Sequence, residues 1–96
     1  MALPTTMFRK MKNVVGPRIR EARRRSGRKV TQQELVARLQ TIGLEIDRTA
    51  ISKIEAGTRP VTDVEIVAIC KALGVKVATL FPDDEETRSG LASADP

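Results

Sequence analysis

Apolar residues recur three and four apart along almost the whole chain, and no alternating run marks a convincing strand. In NVVGPRIREARRRSG the stripe is Val15, Ile19 and Ala22. Asn13 is a candidate cap, Pro17 falls in the first turn, where its missing N–H costs little, and Gly27 supplies a stop. Arg18, Arg20, Arg23, Arg24 and Arg25 are then expected to lie largely outside the stripe, as a basic coat. In TQQELVARLQ, Thr31 and Glu34 stand in the capping-box relation, the hydroxyl accepting from the Glu34 amide and the carboxylate reaching back to the Thr31 N–H. Leu35, Val36 and Leu39 form its buried stripe. DRTAISKIEAG opens on Asp47 as a cap and closes on Gly57. Ile51 and Ile54 point inward, Arg48, Thr49, Ser52 and Lys53 outward, and Ala50 is small enough for a close approach.

The next segment, VTDVEIVAICKALG, offers a second capping box, Thr62 with Glu65, and a stripe of Val64 or Ile66, Val67, Ile69, Cys70 and Leu73 before Gly74. A short last helix from about Lys76 to Phe81 is expected to return Val77, Leu80 and Phe81 to the core, with Pro82 as its stop. The pattern predicts an all-α domain of five helices. Residues 1–12 read as a flexible basic tail, 13–82 as the domain and 83–96 as a disordered acidic tail, since DDEETRSGLASADP has little to bury.

Composition agrees with helices packed on helices: 41% of the 96 residues are hydrophobic but only 2% aromatic, so Val, Ile, Leu and Ala must build the core. Histidine is absent and Cys70 is the single cysteine. That excludes a structural zinc site, an intramolecular disulfide and a histidine-activated nucleophile, and no cofactor or metal is expected. The carboxylates are scattered and no glycine loop cradles a phosphate, so an enzyme is the least favoured class. With no apolar run near the roughly 20 residues of a membrane span, and no signal-peptide core in MALPTTMFRKMK, a cytoplasmic setting is expected.

Charge sharpens the picture. Residues 1–60 carry fourteen Lys and Arg against five acids, whereas residues 61–96 carry three against seven. One half is thus a cationic surface suited to a polyanion. Gln32 and Gln33 occupy a helix's first turn, where free amides and the positive dipole end suit a phosphate. The helix opening at Arg48 follows with side chains fit for base edges: Arg forks onto guanine O6 and N7, Thr offers a methyl and a hydroxyl, and Lys anchors the backbone. A capped helix followed by such a second helix is the arrangement that enters the major groove.

TQQELVARL, RTAISKIEAGTRP and ICKALGVKVATLF, in that order, resemble successive blocks of the Cro/C1-type (XRE-like) helix-turn-helix family, from about Asn13 to Phe81. The resemblance implies a five-helix, lambda-repressor-like fold and a double-stranded DNA partner. It implies that Gln32 contacts phosphate and braces a recognition-helix side chain, that Arg48, Thr49, Ser52 and Lys53 meet bases and nearby phosphates, and that Arg59 is a phosphate contact. Ile51 and Ile54 match buried positions. Two departures stand out. Arg28 and Lys29 look like extra loop residues, and Leu39 to Asp47 is longer by about five residues than the usual tight turn. An extension of the earlier helix by about a turn, broken near Gly43, is favoured over a longer loop that packs Ile42, Leu44 or Ile46.

The expected function is a sequence-specific regulator of transcription, in the first place a repressor, acting as a homodimer with Leu80, Phe81 and Val77 as candidate contacts. Alternatives are the antitoxin of a toxin–antitoxin pair, with the acidic tail as a partner-binding segment, RNA or non-specific nucleic-acid binding, and a protein-interaction module that keeps the fold alone. Cys70 reads as a small core residue and Glu55 as a helix-surface partner for a basic neighbour.

Overall fold

The computed structural model describes residues 11–25 and 29–81. The expected stop at Gly27, the extra loop residue Arg28 and the acidic tail lie outside that range, as does most of the N-terminal tail. Four α-helices follow one another, α1 Gly16–Arg25, α2 Gln32–Thr41, α3 Arg48–Glu55 and α4 Asp63–Leu73, and then a single 3₁₀ turn, Val77–Leu80. Among the described residues there is no strand. The fifth helix expected from the sequence is therefore only this one turn.

Each start has a local cause. Asn13 Oδ1 accepts from the Gly16 N–H at 2.6 Å, while its amide donates to the carbonyls of Ile54 (3.1 Å) and Arg59 (2.8 Å). One side chain thus caps α1 and ties it to the end of α3. Gly16 allows that approach, because a Cβ there would sit 1.9 Å from the Ile54 carbonyl oxygen. The Lys12 N–H also donates to Gly57 O at 2.7 Å, so the chain already joins the domain one residue before Asn13. At α2, Thr31 accepts from the Glu34 N–H at 3.0 Å, but the return contact runs only from hydroxyl to carboxylate at 3.5 Å. That capping box is half made. The one at α4 is complete: Thr62 Oγ1 accepts from the Glu65 N–H (3.1 Å) and Glu65 Oε1 from the Thr62 N–H (2.9 Å).

The lengthened segment resolves against the favoured expectation. α2 stops at Thr41, and Gly43 takes a left-handed φ of +93°. The Leu44 N–H then reaches back to Leu39 O (2.9 Å) and the Gly43 N–H to Gln40 O (3.0 Å). These are the two bonds of a Schellman ending, which satisfy the orphan carbonyls and turn the chain out of the helix. The break at Gly43 is present and the extra turn is not. Beyond it, Ile46 is buried and Leu44 half-buried against the core, while Ile42 is left exposed. The same reversal recurs at Gly57 and Gly74.

Among the described residues, Val15, Ile19, Leu35, Leu39, Ile51, Ile54, Ile69 and Leu80 are the largest fully buried side chains. α2 packs on α3 and α4, and α1 on α3, α4 and the 3₁₀ turn. On α4 the inward register is Ile69, Cys70 and Leu73, with Ile66 partly buried. Val64 (66% exposed) and Val67 (46%), expected in the buried stripe, instead lie on the outer side of the helix. Val77 and Phe81 are also exposed, because a four-residue turn can offer the core little more than one side chain, here Leu80. Cys70 is a buried free thiol, and burial pushes its pKa up.

Candidate nucleic-acid interface

The face of α3 is set by its amphipathic spacing and its cap. Ile51 and Ile54 are anchored in the core, and Asp47 Oδ1 accepts from the Ala50 N–H at 2.7 Å. That fixes Arg48, Thr49, Ser52 and Lys53 on the outside, all exposed. Gln32, from the first turn of α2, joins those four in lining one shallow concavity. Gln33 is exposed but does not line it.

A second depression adjoins the first. It is lined by Arg20, Arg23 and Arg24 of α1 with Gln32, Ser52, Glu55 and Ala56, so Gln32 and Ser52 border both. Arg20 and Arg24, one helical turn apart and exposed, carry the basic surface from α3 onto α1.

Beneath this surface lies a network that the sequence reading placed wrongly. Arg23, expected in the basic coat, is 9% exposed, and Glu55, expected on a helix surface, is 7% exposed. The guanidinium forks onto the carboxylate, Nε to Oε2 at 2.6 Å and a terminal nitrogen to Oε1 at 2.8 Å. Its other terminal nitrogen donates to Val30 O at 2.8 Å, and the Gln32 amide donates to Glu55 Oε1 at 3.1 Å. One carboxylate therefore links α1, α2 and α3. The hydrogen bond from Arg23 to Glu55 outweighs desolvation and raises the arginine pKa. Spacing carried only half of the signal: Arg23 is four residues after Ile19, and Glu55 four after Ile51, so both fall on core-facing lines, but neither helix alone shows that the two meet.

Arg59 is not part of the shared concavity. Its guanidinium forks onto Glu65 at 3.0 and 3.2 Å and donates to Pro60 O at 2.9 Å. These bonds raise the Arg59 pKa and lower that of Glu65. The structure thus brings together Gln32, Arg48, Thr49, Ser52 and Lys53, leaves Gln33 beside them, and holds Arg59 to the start of α4.

Two successive capped helices, braced from behind by a third and bearing a polar, cationic outer face, define a helical protein of the helix-turn-helix class. A family model described as "Helix-turn-helix domain" matches residues 15–80, most of the chain, and the protein belongs to that family. No curated protein and no solved structure matches it. The family indicates a DNA-binding role. Among the described residues, no helix is long and apolar enough to cross a membrane.

Proposed function

We propose that this protein is a Cro/C1-type, XRE-like regulator that binds double-stranded DNA sequence-specifically, lays α3 in the major groove and represses transcription by occupying its site in the cytoplasm. The observation that carries this reading is the cluster of Arg48, Thr49, Ser52 and Lys53, all exposed on one capped helix whose other side is locked into the core, with Gln32 beside them. In this reading Arg48 forks onto a guanine edge, Thr49 and Ser52 meet bases or phosphate, and Lys53 neutralises the backbone. Gln32, held by Glu55, sets the height of the α2 start above a phosphate, with Gln33 next to it.

Arg59 would have to leave Glu65 to reach a phosphate, so Arg20 and Arg24 are the stronger backbone contacts. A single domain of this size covers little DNA, and useful affinity calls for a homodimer on half-sites about 34 Å apart. Leu80 is fully committed to the core. Among the described residues, Val77 and Phe81, with Val64, Val67 and Ile42, are the large exposed apolar side chains left for such a contact.

Selection from random duplexes at two salt concentrations tests the reading, with an Arg48→Ala/Lys53→Ala variant alongside. The expected result is an enriched palindromic site for the parent. In the variant that site is relaxed at the Arg48 position by about 1–3 kcal/mol and its salt slope is shallower by about one unit. Binding that is purely salt-controlled and indifferent to both substitutions would remove α3 from the interface and favour the protein-interaction reading.

A further inference from the structure

We propose that the acidic segment after Pro82 docks in cis into a cleft on the side of α1 away from α3. The cleft, of about 280 Å³, lies between α1, the end of α4 and the 3₁₀ turn. Ala22, Leu73 and Val75 provide its apolar surface, and Arg18, Arg25 and Thr79 its polar edge. Glu21, the one acid among its described lining residues, is engaged by Arg25 at 2.8 Å, whereas Arg18 makes no ion pair among the described residues. The cleft therefore has an excess of positive charge beside a small apolar floor, in which Val75 is half-buried and Ala22 and Leu73 show only their edges.

The path of the chain identifies the occupant. Thr79 lines the cleft, Pro82 follows three residues later, and Asp83, Asp84, Glu85 and Glu86 come directly after it. Fully extended, these acids reach at most about 25 Å from Thr79. The 3₁₀ turn packs on α1 and α4 and makes no contact with α3, so the described chain ends on the side of α1 that carries Arg18 and Arg25. Arg20 and Arg24 line the depression towards α3 instead. The tail's only large apolar side chain, Leu91, suits the floor formed by Ala22, Leu73 and Val75.

The tether supplies the acids at an effective concentration in the millimolar range, enough for contacts that would be negligible between separate molecules. Exposed ion pairs are individually weak and screened by salt, so the docked state is reversible. When docked, the tail covers two of the α1 cations and leaves the α3 face open. The inference does not depend on the DNA-binding reading.

The test compares amide and arginine Nε NMR spectra of the full chain with those of Asp83→Asn/Asp84→Asn/Glu85→Gln/Glu86→Gln, at low salt and at about 1 M salt, where the Debye length is about 3 Å. Expected are shift differences at Ala22, Val75, Thr79 and the Arg18 Nε at low salt, which disappear at high salt. An Arg18→Gln/Arg25→Gln background should abolish them while the rest of the spectrum stays unchanged. Three results would overturn the proposal: differences confined to Phe81 and its neighbours, differences centred on Arg48 to Lys53, or differences that grow with protein concentration and so report a second copy.

Discussion

Glu55→Gln is the most informative single substitution, because it removes one charge from a pair that binds three helices. The Arg23 side chain is 11% exposed and that of Glu55 4%, so solvent screens the pair little. Removing one partner of a buried ion pair leaves the other uncompensated, at a cost of about 3–5 kcal/mol. The glutamine carbonyl can still accept one guanidinium N–H, but in either orientation its amide meets an Arg23 N–H donor to donor, and at the Oε1 position it meets the Gln32 amide as well. The expected loss is therefore near the lower end, about 3 kcal/mol. A domain of this length is stable by only about 3–10 kcal/mol, so urea denaturation followed by far-UV circular dichroism should show a much lower midpoint with an unchanged slope. The thermal midpoint should fall by about 12–24 °C.

The companion experiment removes both charges. Arg23→Met/Glu55→Leu leaves no buried ion and should cost less than Glu55→Gln alone, about 1–2 kcal/mol. That residue of cost comes from the Val30 carbonyl and the Gln32 amide, which lose their partners. A loss below about 0.5 kcal/mol for Glu55→Gln would mean that the pair behaves like a surface salt bridge. The claim that it orients α3 would then fail.

Further expectations follow from single positions. Gly16→Ala should cost about 1–3 kcal/mol and shift α3 resonances, because its Cβ would collide with the Ile54 carbonyl. Gly43→Ala meets no neighbouring atom and should cost only the left-handed strain of about 1–2 kcal/mol; equal effects on α3 from both would refute the close-approach argument. Glu65 titrates below its ordinary 4.5 because Arg59 and the Thr62 N–H hold the carboxylate form. Its contribution is complete above about pH 4.5 and is lost as pH falls through the depressed value, so Glu65→Gln should flatten that limb of the thermal midpoint against pH. Cys70, buried and with a raised pKa, should react with a thiol reagent only slowly until urea is added, and immediate reaction of the native protein would contradict its core placement.

What could be read from the sequence is what local chemistry decides. Thr31, Asp47 and Thr62 mark helix starts because their side chains accept amide protons three residues on, a relation written into the spacing. Ile51 and Ile54 had to be inside once that helix was placed. The last helix was over-read because Val77, Leu80 and Phe81 satisfy helical spacing in a segment too short to bury all three, and Pro82 discourages a helical Phe81. The segment after Leu39 was ambiguous because Gly43 can equally mark a break within a helix or its end. The order glycine then leucine, with Leu39 four residues before Gly43, is the Schellman signature that favours the end.

The one error that bears on the interface concerns charge. A stripe reading sends every arginine of α1 outward, since a lone buried cation is too costly to place. That objection fails only when an acid on another helix lies opposite, and neither helix reveals this by itself. Arg23 can enter the core because Glu55 does, and Glu55 can because Arg23 and Gln32 satisfy both of its oxygens. The orientation of α3 then depends on a polar triad from three helices as well as on Ile51 and Ile54. Gln32, itself a member of that triad, and Ser52 border both depressions, so the triad reaches the surface at Gln32. A substitution beneath the surface should consequently alter binding at the surface, and loosening the triad should lower discrimination between duplexes more than it lowers affinity for any one of them.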